Sequence, residues 1–235
     1  MSGKSPPRAG RPSREQAKLL GDRILDIATG LFLKIGYGDT TIELVAEKAR
    51  ISKRTLYHRY PDKAALFGTV VRRIVGRLRP PDVSGLFIGG SLEEILPRLA
   101  GIILRAALDP QALALHRIIM AEATRFPELA AAIADRSASQ EAIERIAALL
   151  QREIPAAQLP ASAAQFAAVQ FLQMVIASPQ RRVLVRGVAM SEAEMDGWAK
   201  QTANLFLNGC RGWAPAKRSG PAKRPGPSKR SGKQR

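Results

Sequence analysis

The chain has little of what catalysis and metal binding usually need. Of 235 residues, one is cysteine (Cys210) and two are histidines (His58 and His116). A single thiol forms no internal disulfide, and one Cys with two distant His offers no zinc-ligand spacing. The lone thiol fits a reducing compartment, and Cys210 reads either as an inert core thiol or as a redox sensor. No Gly-rich phosphate loop or nucleophile elbow occurs. No enzyme, metal or cofactor is therefore expected. Residues 1–14 are polar and basic with no apolar h-region, so no secretory signal is expected. Residues 154–180 carry no charge, but Pro155, Pro160 and Pro179 cut them and five glutamines punctuate them. A span needs about 20 predominantly apolar residues, so no membrane helix is expected there. Strand-like alternation is missing too, apart from 182–188, which reads as a turn or helix end. The chain is expected to be all-α.

What is abundant is positive charge, 37 basic against 20 acidic residues for a net +17. Its distribution matters more than its size. Residues 1–14 hold four basic residues and no acid, and residues 214–235 hold eight and no acid. Residues 15–80 hold thirteen basic and seven acidic residues, whereas 81–213 hold twelve and thirteen. A neutral C-terminal part thus follows a basic N-terminal module, and both ends are basic. A polyanion is the natural partner of the basic parts. The C-terminal end repeats with a period of six, as Ala216-Lys217-Arg218-Ser219-Gly220-Pro221 and then Ala222-Lys223-Arg224-Pro225-Gly226-Pro227. Such low complexity reads as disordered, able to meet phosphates without sequence preference.

Apolar residues from Leu20 to Ile35 recur at three and four, one face of a helix that Gly36 stops. Thr40, with Glu43 three residues on, has the capping-box pattern for a second helix. A short turn over 49–52 leads to Ser52, the cap of a third helix ending near Tyr60 and Pro61. Asp62 caps a fourth, with Leu66, Phe67, Val70, Val71, Ile74 and Leu78 as its stripe. Further helical patterns lie near 91–108, 110–124, 127–154, 161–178 and 191–210. The short turn before a short third helix spells a helix-turn-helix. Leu56 and Tyr60 can face its core, while Lys53, Arg54, Tyr57 and His58 point outward. Such a helix lies in the major groove, where Lys and Arg suit guanine O6 and N7.

The run Gly36-Tyr37-x-x-Thr40-Thr41-Ile42-x-x-Val45-Ala46-x-x-Ala49-x-Ile51-Ser52-x-x-Thr55-Leu56-Tyr57-x-x-Tyr60-Pro61-Asp62-Lys63 resembles the DNA-binding domain of the TetR family of bacterial repressors. The resemblance spans roughly residues 14–75. It implies phosphate contacts at Thr41, Tyr57 and Lys63, and groove contacts at Lys53, Arg54, Thr55 and His58. Arg50 stands where the family usually has a left-handed Gly, and Tyr60 where it usually has Phe. The segment from His116 to Leu129 is similar to an AcrR-type, AefR-like subfamily.

The resemblance divides the chain into a basic arm (1–13), a helix-turn-helix domain (14–62), a connecting helix (63–80), an effector and dimerisation domain (81–213) and a basic tail (214–235). It implies a dimeric repressor on a near-palindromic site of double-stranded DNA. A small-molecule effector would release it by tilting the fourth helix. His116, Met120, Phe126 and Phe171 are candidates for the effector pocket, though His116 reads first as a core or pocket-edge residue and such apolar residues at helical spacing are more often core. The uncharged, alanine-rich helix near 161–178 and the helix near 191–210 suit a two-fold interface. The competing expectation is an architectural DNA binder that relies on its tails.

Overall fold

A computed structural model describes residues 14–78, 90–129, 138–155 and 159–211. The arm, the tail and the side chain of Cys210 lie outside the described residues. Among these residues nine α-helices and no strand occur.

The first four helices build the N-terminal unit. α1 (Arg14–Asp39) buries Ile24, Ala28 and Phe32 and is broken at Gly36, where φ is 86°. α2 (Ile42–Lys48) starts one residue later than its sequence pattern predicts. Its N-cap is Thr41, whose Oγ1 accepts from the Leu44 N–H at 3.1 Å. Thr40 is fully buried instead, donating to the Gly36 carbonyl at 2.7 Å. A side chain that closes the Gly36 break cannot also reach the next helix, so the cap passes to Thr41. α3 (Lys53–Arg59) and α4 (Lys63–Leu78) follow, α4 capped by Asp62 accepting from the Ala65 N–H at 2.7 Å. Phe32, Tyr37 and Phe67 meet with ring centroids 5.1–5.9 Å apart at the centre of this unit. Arg73 ties α4 to α1 through Asp26 at 2.8 Å.

The C-terminal bundle comprises α5 (Leu92–Ala107), α7 (Ala138–Glu153), α8 (Ala161–Arg186) and α9 (Glu192–Arg211). Leu96, Leu104, Ile146, Leu150 and Phe171 are its buried centre, and Phe171 packs on Phe206 at 4.9 Å. α8 runs eight residues beyond its expected end, through Pro179 and residues 182–186, to a left-handed cap at Gly187. A proline normally breaks a helix by leaving the carbonyl four residues back without its donor. Here that carbonyl belongs to Val175, and Trp198 of α9 donates its indole N–H to it at 3.0 Å. α8 is long and apolar enough to cross a membrane by length and composition. One side of it, Ala164, Ala168, Phe171, Leu172 and Val175, lies buried in the bundle.

α6 (Pro110–Glu122) stands between the two units. Asp109 caps it, accepting from the Gln111 and Ala112 N–H groups at 2.8 and 3.2 Å, with Pro110 in the first turn, where no N–H is required.

Candidate nucleic-acid interface

The turn between α2 and α3 is built by two local motifs. At the end of α2 the Ile51 N–H donates to the Ala46 carbonyl and the Arg50 N–H to the Glu47 carbonyl, each at 3.0 Å. That pair of bonds is a Schellman closure, which needs a left-handed residue just past the helix. Arg50 supplies it with φ 52°, the one non-glycine positive φ among the described residues. Arg50 therefore keeps the turn geometry that a glycine would adopt without strain. Two residues after Arg50, Ser52 opens α3, its Oγ accepting from the Thr55 N–H at 3.1 Å and lying 2.8 Å from Thr55 Oγ1.

These closures fix which side of α3 faces out. Leu56 is fully buried and Tyr60 packs partly into the same core. Lys53, Arg54, Tyr57 and His58 are exposed, and Thr55 is half-buried. Tyr57 leaves 46% of its surface open, far more than a core aromatic would. Lys53 reaches Glu43 of α2 at 3.3 Å, with both side chains largely in water. A bond to its own backbone N–H, helped by Lys53, holds the Glu43 carboxyl below its usual range. An exposed pair like this contributes little to stability and exchanges readily for another anion. Arg59 does not join the outward set, because it donates to the Ala17 carbonyl at 2.7 Å and ties α3 to α1.

Thr41 caps α2, and Lys63 opens α4 and reaches back to the last turn of α1. Thr41 is exposed and spends a lone pair on the cap, so its hydroxyl proton is free to donate outward. Lys63 is half-buried. Its ammonium donates to the Tyr37 carbonyl at 2.9 Å and the Gly38 carbonyl at 3.3 Å, and sits 4.2 Å over the Tyr37 ring. Two of its three N–H groups are thereby used. Burial moves its pKa down, against the pull of Glu128 and Glu122.

The same turn carries a feature that helical periodicity does not reveal. Glu122, at the end of α6, accepts from the Tyr37 N–H through Oε1 at 2.9 Å and from the Gly38 N–H through Oε2 at 2.6 Å. The Tyr37 hydroxyl donates to Glu128 at 3.4 Å, and Phe126 packs edge-on to the Tyr37 ring at 5.3 Å. Gly36 and Gly38 admit this approach. A Cβ on Gly36, whose φ of 86° itself favours glycine, would lie 2.6 Å from Glu122 Oε1, and one on Gly38 would lie 3.1 Å from Glu122 Oε2 and 3.2 Å from Phe126, so a side chain at either position would press on this contact.

The four pocket candidates are scattered. Met120 is 70% exposed on α6, and His116 is half-buried on the same helix. Phe126 belongs to the N-terminal cluster, while Phe171 is fully buried in the C-terminal one. The helical spacing that groups them in sequence thus distributes Phe126 and Phe171 over different apolar clusters. A groove of about 270 Å³ lies elsewhere, lined by Arg105, Leu108, Val183, Met190, Glu192 and Met195. Arg105 there donates to Glu192 and Asp196 at 2.9 and 2.7 Å. Among the described residues no cluster of His, Cys, Asp or Glu could hold a metal ion.

Residues 24–70 match the profile of bacterial regulatory proteins of the tetR family, and residues 94–209 match that of the AefR-like transcriptional repressor C-terminal domain. A TetR-family transcriptional regulator from Mesorhizobium loti is 26% identical, the alignment covering 84% of this chain and 98% of that one with a TM-score of 0.68. The flavonoid-responsive regulator FrrA is also 26% identical, over 82% of this chain and 97% of its own, with a TM-score of 0.66. GusR of Salmonella enterica shares the fold at 21% identity, over 81% and 94% of the two chains, with a TM-score of 0.57. No curated protein matches the chain.

Proposed function

The chain belongs to the TetR family of bacterial transcriptional regulators, DNA-binding proteins, and from that membership we propose a cytoplasmic, dimeric repressor that a small-molecule effector releases from a near-palindromic operator. The observation that carries the reading is α3. Its buried Leu56 and its cap at Ser52 leave Lys53, Arg54, Tyr57 and His58 as one outward set on a basic module. Lys53 and Arg54 would read base edges together with Thr55 and His58, and Thr41, Tyr57 and Lys63 would hold phosphates.

The dimer reading draws on α8 and α9. Their outward residues include Phe166 and Leu205, which are 51% and 66% exposed, and no charge occurs in α8 before Arg181. Two copies paired there would set two α3 helices one helical turn of DNA apart, about 34 Å. For the effector, the likeness to a regulator described as flavonoid-responsive makes flavonoids the first class to screen.

Site selection from random DNA with the full chain, at physiological salt and with non-specific competitor, tests the reading. A near-palindromic site is expected, with recovery lost on Lys53→Ala and Tyr57→Ala. Equal binding to all sequences, with affinity set by the basic tail, would instead support the architectural alternative.

A further inference from the structure

The apolar clusters do not follow the domain division that the sequence suggests. Leu115 and Ile118 of α6, with Leu129 beyond it, are buried in the same cluster as Ile24, Phe32 and Phe67. The cluster of the C-terminal bundle contains no residue of α6. The apolar cluster changes within two residues, although α6 also touches α5 and α8 of the bundle. Leu108 packs on the bundle, and Asp109 caps the helix that packs on the N-terminal unit. The polar contacts agree with the apolar ones. Glu122 closes the far end of α6 onto the Tyr37 and Gly38 amides, in the last turn of α1. Lys63 holds the carbonyls of the same two residues from α4, under the ring of Phe126.

We propose that Glu122 is a positioning residue, a carboxylate latch that makes α6 part of the DNA-reading unit and puts the joint between reading unit and bundle at Leu108–Asp109. On this division α4 does not tilt against the head. It lies wholly inside the moving body, with Leu66, Phe67, Val70, Val71 and Ile74 buried in the head cluster. A change in the bundle that shifts the start of α6 then turns α1 to α4 and α6 together. Two hydrogen bonds to an ionised acceptor are stronger than neutral ones, and they fix orientation as well as distance. The Glu122-x-x-x-Phe126 spacing places the carboxylate and the ring that covers Tyr37 on one side of the chain. The regulatory consequence rests on α3 being the DNA reader, but the rigid grouping does not.

The grouping is read directly by pulsed electron paramagnetic resonance on the full chain, without DNA. All variants carry Cys210→Ser. One spin-label pair uses Arg23→Cys on α1 with Met120→Cys on α6, and the other uses Arg23→Cys with Ala148→Cys on α7, all at exposed positions. Labelled chains are diluted with unlabelled ones so that only distances within a chain are read. The α1–α6 distribution is expected to be the narrower of the two. In Glu122→Gln it broadens, and hydrogen exchange at the Tyr37 and Gly38 amides rises about tenfold or more, with amides of α7 to α9 unchanged. An α1–α6 distribution as broad as the α1–α7 one overturns the proposal, and that comparison needs no change at Glu122. So does a Glu122→Gln variant that changes neither reading, or one that loses protection throughout the chain, which would make Glu122 only a support of the fold. Failure of the site selection with the grouping intact would sink the DNA-reading assignment alone.

Discussion

Arg50→Gly should make the protein more stable and a weaker DNA binder. Arg50 holds φ 52° to close α2, and a left-handed conformation costs a residue with a side chain about 1–2 kcal/mol. Glycine removes that strain but adds freedom to the unfolded chain, a loss of about 0.5–1 kcal/mol. The difference is a gain of about 0–1.5 kcal/mol, near 0.75 kcal/mol at the midpoints. For a chain of this size each kcal/mol moves Tm by roughly 2–4 °C, so a rise of about 1.5–3 °C is expected at the midpoints. The guanidinium is exposed beside α3, where it can meet a phosphate. Losing one phosphate contact lowers the slope of log affinity against log salt by about 0.9. Arg50→Ala is the control, since it loses the same cation and keeps the strain. Differential scanning fluorimetry and a salt titration of binding to the selected site measure both effects. A Tm for Arg50→Gly equal to or below that of Arg50→Ala would refute the strain argument.

Thr41→Ala should lower stability by about 0.5–2 kcal/mol through loss of the α2 cap, with Thr41→Ser restoring it, by chemical denaturation. Phe171→Ala should cost about 3–5 kcal/mol, whereas Met120→Ala should change stability by less than about 0.5 kcal/mol, because one is fully buried and the other open to water. Burial, with Glu128 next in effect, pushes the Tyr37 phenol above its ordinary value near 10. A pKa raised on folding contributes stability that is present below about pH 10 and is lost as pH rises toward the folded value. The phenolate difference spectrum between the wild type and Tyr37→Phe should therefore develop later than for free tyrosine, and the variant should resist alkaline unfolding better. Leu205→Glu should shift the protein from dimer to monomer in sedimentation velocity, and an unchanged sedimentation coefficient would refute the α9 interface.

The parts legible in the sequence are those that short-range rules govern. Gly36, Ser52 and Asp62 end or begin helices through bonds to residues one to four positions away, so their roles can be read from spacing alone. The outward set on α3 follows from one buried leucine and the helical period. Thr40 and Thr41 were not separable this way. Both suit a cap, and the choice depends on which hydroxyl the Gly36 carbonyl takes. The pocket candidates were likewise beyond periodicity, which tells that Phe126 and Phe171 are apolar but not which body each joins.

By itself the sequence determined an all-α chain with a basic helix-turn-helix ahead of a neutral helical domain, since caps, turns and charge act locally and add up along the chain. Tertiary structure alone decided the rest. It carries α8 through Pro179, because a tryptophan 23 residues from Val175 supplies the missing donor. It assigns α6 to the head, because Glu122 meets amides some 85 residues away. Such bonds join groups that only packing makes neighbours, and no spacing along a chain announces them.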